Sequence, residues 1–312
     1  MAKRVAVFAA SGRVGQAQVR QLLKHGYETV AVSRNPRIFK DPQFRGASVI
    51  PADFNDRASL DNVFGQVNAA FVQLPSFGSP DDLLRQARNI AQAAVAANSE
   101  RLIFNSTMWT PDSPPCGEAL YDLIRSIEDV FLSSDAPVVI YRPVLFMDNL
   151  LTQFMKPALI AEGVYRYSHR PGMKANWISM DDVARFMIAA LDRDDLEGRR
   201  VLLGGPESLT PEEVVGIFSE VLNRPFKLEY LPAREFANYI YDRFGEALGP
   251  RELFVEFWDR FYTFNNFSPL RPFEVDVAAL IKEIPLTLTP MRDWVAQQDW
   301  TSDQESIGSF VG

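Results

Sequence analysis

The run Val5-Ala6-Val7-Phe8-Ala9-Ala10-Ser11-Gly12-Arg13-Val14-Gly15-Gln16 decides how this chain is read. Val5 to Phe8 is continuous, apolar and rich in β-branched residues, the pattern of a strand buried on both faces. It gives way to small residues and two glycines three apart. Apolar residues then resume at helical spacing from Gln16 to Leu23 and stop before Gly26. A strand, a glycine turn and a helix start form an anion site. Backbone N–H groups without intrahelical partners face outward, the helix dipole adds positive charge, and small side chains let a phosphate approach. The stretch therefore predicts a dinucleotide pyrophosphate site opening a Rossmann βαβ unit, held by Ala10, Ser11, Gly12, Arg13, Val14 and Gly15. Ala9 stands where a glycine would begin the repeat Gly-x-x-Gly-x-x-Gly.

The following strand, residues 27–32, ends in Ser33-Arg34-Asn35-Pro36-Arg37. Arg34 lies at about the ~20-residue spacing where a ribose-reading group is expected. An acidic residue there would accept the ribose hydroxyls of NAD, whereas an arginine fork matches the extra phosphate of NADP. Ser33, Arg34, Arg37 and Arg13 are expected to converge on that phosphate, so the cofactor expected is NADP(H). Further strands are predicted at 47–51, 68–74, 101–105, 137–141 and 199–203, with helices at about 81–97, 118–132 and 179–191. This alternation implies an α/β fold with a doubly wound parallel sheet and right-handed crossovers.

A length of 312 residues and 47% hydrophobic residues allow that core and an appended lobe. A net charge of −8 argues against nucleic acid as a partner, since a phosphate-backbone binder needs a basic face. Cys116, the single cysteine, leaves no disulfide framework within the chain and fits a reducing compartment. With no leader-like start and no apolar run of membrane-spanning length, the expectation is a cytoplasmic protein that does not engage a membrane. His25 reads as a helix C-cap. It lies too far from His169 for a metal-binding spacing, and no metal is predicted.

The expected division is a Rossmann core over residues 1–147, with strand and helix returns at about 178–204. A smaller, mostly helical substrate lobe is expected over 148–177 and 205–300, and a flexible tail over 301–312. Thr210-Pro211-Glu212-Glu213 carries an N-cap, a first-position proline and a capping-box glutamate. Residues 232–267 hold Tyr239, Tyr241, Phe244, Phe254, Phe257, Trp258, Phe261, Tyr262 and Phe264. Their helical spacing is that of packing residues, with some left to line an apolar pocket or a homodimer face.

Five segments together resemble the NmrA-like branch of the atypical short-chain dehydrogenases/reductases. They are the turn at 10–15, Ser33-Arg34-Asn35-Pro36, the run Arg142-Pro143-Val144-Leu145-Phe146-Met147-Asp148-Asn149, the run Ile178-Ser179-Met180-Asp181-Asp182-Val183-Ala184, and Gly204-Gly205-Pro206-Glu207-Ser208-Leu209-Thr210. The resemblance covers about residues 3–230 and implies a cleft between a Rossmann domain and a small C-terminal lobe. It places Asp53 and Phe54 at the adenine edge, although Asp53 reads equally well as a turn residue. Leu74, Pro75, Asn105, Pro143 and Phe146 complete the expected cofactor contacts.

The wider superfamily pairs a serine after strand five with a tyrosine and a lysine four residues on. Here Ser106, Tyr121 and Arg125 stand at those places, and Arg125-Ser126-Ile127-Glu128 replaces the branch's usual Lys-x-x-Glu. Arg125 is expected to position the cofactor and to lower the phenol pKa, though a guanidinium cannot shuttle protons. The alternative for Tyr121 is packing, and for Arg125 pairing with a glutamate. The function expected is an NADPH-dependent reductase of a small, largely apolar carbonyl, quinone or conjugated substrate. The alternative is a redox-sensing regulator that binds NADP(H) without turnover and acts through a protein partner.

Overall fold

The computed structural model describes residues 3–34, 44–75, 78–106, 108–245 and 249–301. Strands β1 (Arg4–Val7), β2 (Glu28–Ser33), β3 (Ser48–Pro51), β4 (Ala69–Val72), β5 (Arg101–Asn105) and β6 (Val138–Pro143) arise in chain order. Between them run helices α1 (Arg13–Lys24), α2 (Arg57–Phe64), α3 (Pro80–Ala96) and α4 (Ala119–Leu132). Short strands β7 (Leu145–Phe146), β8 (Val164–Tyr167) and β9 (Ala175–Ile178) lead into helix α5 (Met180–Ala189) and strand β10 (Arg200–Leu203). Strand β11 (Ser208–Leu209), helix α6 (Pro211–Val221), strand β12 (Lys227–Tyr230) and helices α7 (Ala233–Phe244), α8 (Arg251–Phe267), α9 (Val277–Glu283) and α10 (Met291–Gln297) follow.

The central sheet has the order β10-β6-β5-β4-β1-β2-β3, and every neighbouring pair is parallel. Strands buried on both faces divide their side chains between two cores. Val5, Val7 and Phe71 join Val19, Leu22, Val183 and Phe186 under α1 and α5. Ala6, Phe8 and Val72 join Leu60, Ile90, Ile127 and Phe131 under α2, α3 and α4. This is the doubly wound Rossmann sheet expected, with residues 199–203 closing one edge as a seventh parallel strand. The order reverses between β1 and β4, which opens a crevice at the carboxyl ends of the strands.

Apart from α9 and the stretch after it to Leu288, whose Leu280, Ile284 and Leu288 pack into the first core, the remaining chain forms a lobe over that crevice. Its helices α6, α7, α8 and α10 surround a third core built on Tyr165, Tyr167, Trp177, Phe218, Phe236 and Trp294. Two small sheets accompany them, one joining β11, β9 and β7 and one pairing β12 with β8. The sequence reading did not anticipate these short strands. Two-residue strands such as β7 and β11 carry no alternation to read. Thr210 and Glu213 do form the capping box at the start of α6. His25 caps α1, its Nδ1 lying 2.8 Å from the carbonyl of Gln21. Among the described residues no helix is long and apolar enough to cross a membrane.

Candidate active site

The glycine turn leaves β1 and enters α1 through a left-handed residue, Ala9, at φ 51°. Its carbonyl accepts the N–H of Gly12 at 3.0 Å, and the N–H of Ala10 reaches back to Val32 at 3.0 Å. Ala9 thus occupies, as an alanine, the backbone region that glycine enters most readily. The two glycines do different work. A Cβ on Gly15 would lie 2.4 Å from the Ala9 carbonyl oxygen, so this position lets the helix approach the strand. A Cβ on Gly12 would meet the same oxygen at 3.4 Å, an ordinary contact. Gly12 is the N-cap of α1, which has no side-chain cap and no acid in its first turn. By contrast Asp56, Ser79, Glu118 and Ser179 cap α2, α3, α4 and α5. The one sheet-covering helix without a side-chain cap is the one expected to face a pyrophosphate, so the turn fits a dinucleotide.

Arg34 lies at the exposed end of β2, beside Ser33, whose register partner is Pro51. Arg37 lies outside the described residues. Arg13 departs from expectation. Its guanidinium donates to the backbone carbonyl of Asp148, and the residue lines the cavity facing the lobe. The cause is its place at the first position of α1, over the carboxyl edge of the sheet. Asp53 accepts the N–H of Asn55 at 2.8 Å as a turn residue, and Phe54 packs on Phe8 with ring centroids 5.9 Å apart. Leu74, Asn105 and Pro143 are buried at the ends of β4, β5 and β6, Phe146 is buried at the end of β7, and Pro75 is half-buried.

Between this edge and the lobe lies a cavity of about 180 Å³. Its walls carry Phe146, Tyr121, Tyr167, Trp258, Phe261, Tyr262 and Phe273, with Arg13 and His169 as the basic groups. His169 is fully buried, its ring 4.0 Å from that of Tyr167 and its Nδ1 3.2 Å from the Tyr165 hydroxyl. Burial lowers its pKa to about 3, so the imidazole is neutral at physiological pH. Its Nε2 has no hydrogen-bond partner among the described residues. Asp148 is half-buried, and desolvation is the main cause that raises its carboxyl above the usual range.

Tyr121 is 1% exposed and donates to Oδ1 of Asn265 at 2.5 Å. Trp109, Phe261 and Phe264 surround its ring with centroids at 5.1, 5.5 and 5.6 Å. Burial raises the phenol pKa far above its ordinary value. Arg125, expected to lower it, does not. Its Nη1 donates to the carbonyls of Pro111 and Asp112 at 2.8 and 3.0 Å, and its Nε to Asp129 at 3.2 Å. Residues i and i+4 share a helix face, but Tyr121 points inward while the longer Arg125 reaches the 111–112 loop. Ser106 places its Oγ 2.9 Å from the Met108 carbonyl and 3.1 Å from that of Tyr141, a turn-closing geometry. The superfamily's serine, tyrosine and cation are all present here, with Tyr121 bonded to Asn265 and Arg125 to the 111–112 loop and Asp129.

Glu128 of the Arg-x-x-Glu run is fully buried. It accepts Arg142 Nη2 at 2.6 Å and Arg200 Nε at 2.9 Å, tying α4 to β6 and β10. Sequence reasoning missed Asn265 and Arg142. The available signal was the pair Asn265-Asn266 inside an aromatic helix, where buried amides need partners.

The family model of the NmrA-like family matches residues 1–311. The chain belongs to the NmrA-like family. It is 29% identical over 227 residues to the (4-alkanoyl-5-oxo-2,5-dihydrofuran-3-yl)methyl phosphate reductase of Streptomyces griseus, covering 73% of this chain and 77% of that one. The NADPH-dependent quinone oxidoreductase of Escherichia coli, solved with NADPH, superposes with a TM-score of 0.74. It is 21% identical, and 94% of this chain and 98% of that one are covered. The Citrobacter triphenylmethane reductase, solved with NADP(H), gives 0.75 at 21% identity over 94% and 99%. At these identities the structural likeness shows the fold.

Proposed function

We propose that this NmrA-like protein is an NADPH-dependent reductase of conjugated, already electrophilic acceptors such as quinones. The observation that carries this reading is the buried Tyr121–Asn265 hydrogen bond beside an aromatic cavity. A phenol desolvated and spent on an amide oxygen is a poor acid at neutral pH. Simple aldehydes and ketones, whose alkoxide needs a proton in the transition state, are poor substrates for such a site. Conjugated acceptors spread the incoming charge and take their proton from water afterwards.

When bound, NADPH supplies the hydride. The uncapped start of α1 would hold its pyrophosphate and Arg34 its ribose phosphate, while the aromatic walls would orient a flat acceptor and exclude water. Arg13, the one formally charged residue among the described lining of this cavity, is placed to stabilise negative charge developing on the acceptor oxygen. Relatives named as reductases of a quinone and of a triphenylmethane dye support an aromatic acceptor.

The test is NADPH oxidation against matched panels of quinones, enones, azo dyes and simple aldehydes. Turnover confined to the conjugated acceptors is expected. Aldehyde reduction that disappears in Tyr121→Phe would overturn the acid-free reading. Tight NADPH binding without turnover on any panel member would leave the redox-sensing regulator as the function.

A further inference from the structure

We infer that a second cavity, at the C-terminal end of α8, is an anion subsite. It takes the phosphate, sulfonate or carboxylate of an organic ligand whose flat body occupies the aromatic cavity. The subsite stands on its own observations, and only the role of that ligand as hydride acceptor rests on the reductase reading. The cavity holds about 430 Å³ and is walled by Arg170, Lys174 and Arg271 together with Asn265, Phe267 and Phe273. In a chain of net charge −8, three cations on one small wall are a local concentration. Glu274 is the carboxylate among the described lining residues, and Arg271 holds it at 3.4 Å. Glu212 approaches nearby but accepts the N–H of Gly172 at 3.2 Å.

The wall is built rather than incidental. Arg170 donates through Nε to the Asn266 carbonyl at 2.6 Å and through its backbone N–H to the Asn266 side chain at 2.9 Å. Its guanidinium sits 5.7 Å from the centre of the Phe267 ring, which is 66% exposed. Asn265 is 4% exposed, and its Oδ1 is occupied by Tyr121. Its Nδ2 has no hydrogen-bond partner among the described residues. A buried donor left unmet is costly, and an anion oxygen would satisfy it.

The two cavities share a wall. Phe273 lines both, His169 and Arg170 are consecutive and line one each, and the Asn265–Tyr121 bond links the two linings. An acceptor with an apolar ring and a charged arm matches this pair of spaces.

Calorimetric titration of the NADP⁺-loaded protein with naphthalene sulfonate and with naphthol tests the subsite without requiring turnover. Lys174→Glu, at an exposed position, and Arg271→Ala should each lower sulfonate affinity by roughly threefold to tenfold and naphthol affinity far less. Added salt should act in the same direction as the substitutions. Equal losses on both ligands, or no loss for the sulfonate in either variant, would overturn the subsite. NADPH oxidation by naphthoquinone and by its sulfonate is measured separately. If neither is reduced, the reductase reading falls, while the titration still decides the anion subsite.

Discussion

The hydroxyl of Tyr121 donates to Oδ1 of Asn265 at 2.5 Å, joining α4 of the Rossmann half to α8 of the lobe across 144 residues of sequence. In the acid-free reading proposed above, this bond makes the most conspicuous acid–base candidate part of the cleft wall. Tyr121→Phe should therefore keep quinone turnover within about threefold, far from the ~10²–10⁴-fold loss of a general acid. It should cost about 1–3 kcal/mol of stability, because the Asn265 oxygen is left buried without a donor. Arg13→Gln should show the opposite split, lowering turnover by ~10-fold or more with little change in folding. Steady-state kinetics and urea denaturation of the two variants measure both effects.

Cofactor choice is assigned to Arg34. Arg13 donates to the Asp148 carbonyl, so the test is made on Arg34. Arg34→Ala should weaken NADPH about tenfold and leave NADH nearly unaltered, since losing one charge-assisted contact at a solvent-exposed site lies at the low end of its range. Fluorescence titration of both nucleotides checks this. An equal affinity of the wild-type protein for the two would refute the assignment.

The two glycines of the turn should separate folding from binding. Gly12→Val adds bulk where the backbone would meet the pyrophosphate while its Cβ makes only an ordinary contact with the Ala9 carbonyl, so a folded protein with at least ~10-fold weaker NADPH binding is expected. Gly15→Ala drives a methyl against the Ala9 carbonyl at 2.4 Å and should destabilise by roughly 1–3 kcal/mol. Ala9→Gly, which relieves the left-handed alanine, should be neutral to stabilising by up to about 1 kcal/mol. Thermal melts with and without NADPH report on all three.

Stability should fall in mild acid through His169. Burial lowers its pKa from 6.5 to about 3, so between these values the unfolded chain binds a proton that the folded chain does not. The loss begins as pH falls below about 6.5 and continues towards 3. At pH 5 it should reach about 2 kcal/mol. Urea midpoints at pH 7 and pH 5 should differ accordingly in the wild type, and the gap should shrink by that amount in His169→Phe. An unchanged gap would show that other groups carry the acid sensitivity.

Much of this protein was legible in its sequence, because the signals involved are local. The inner strands, buried on both faces, read as continuous apolar runs, and all seven strands of the central sheet, the more exposed edge strands β3 and β10 included, stand where the sequence predicts them. The turn before α1 declares itself through two glycines, of which Gly15 is the one that close backbone approach requires. The NmrA-like family was legible for the same reason, its short motifs lying in order along the chain. What the sequence could not decide was direction. Arg13 reads as a ribose group until the fold turns it onto the lobe. Tyr121 and Arg125 read as partners until one is buried under α8 and the other reaches the 111–112 loop. Asn265 and His169 meet the cleft through contacts that span much of the chain, and no spacing rule encodes those. Where a side chain points in a cleft between two halves follows from how the halves pack, and only the tertiary structure holds that information.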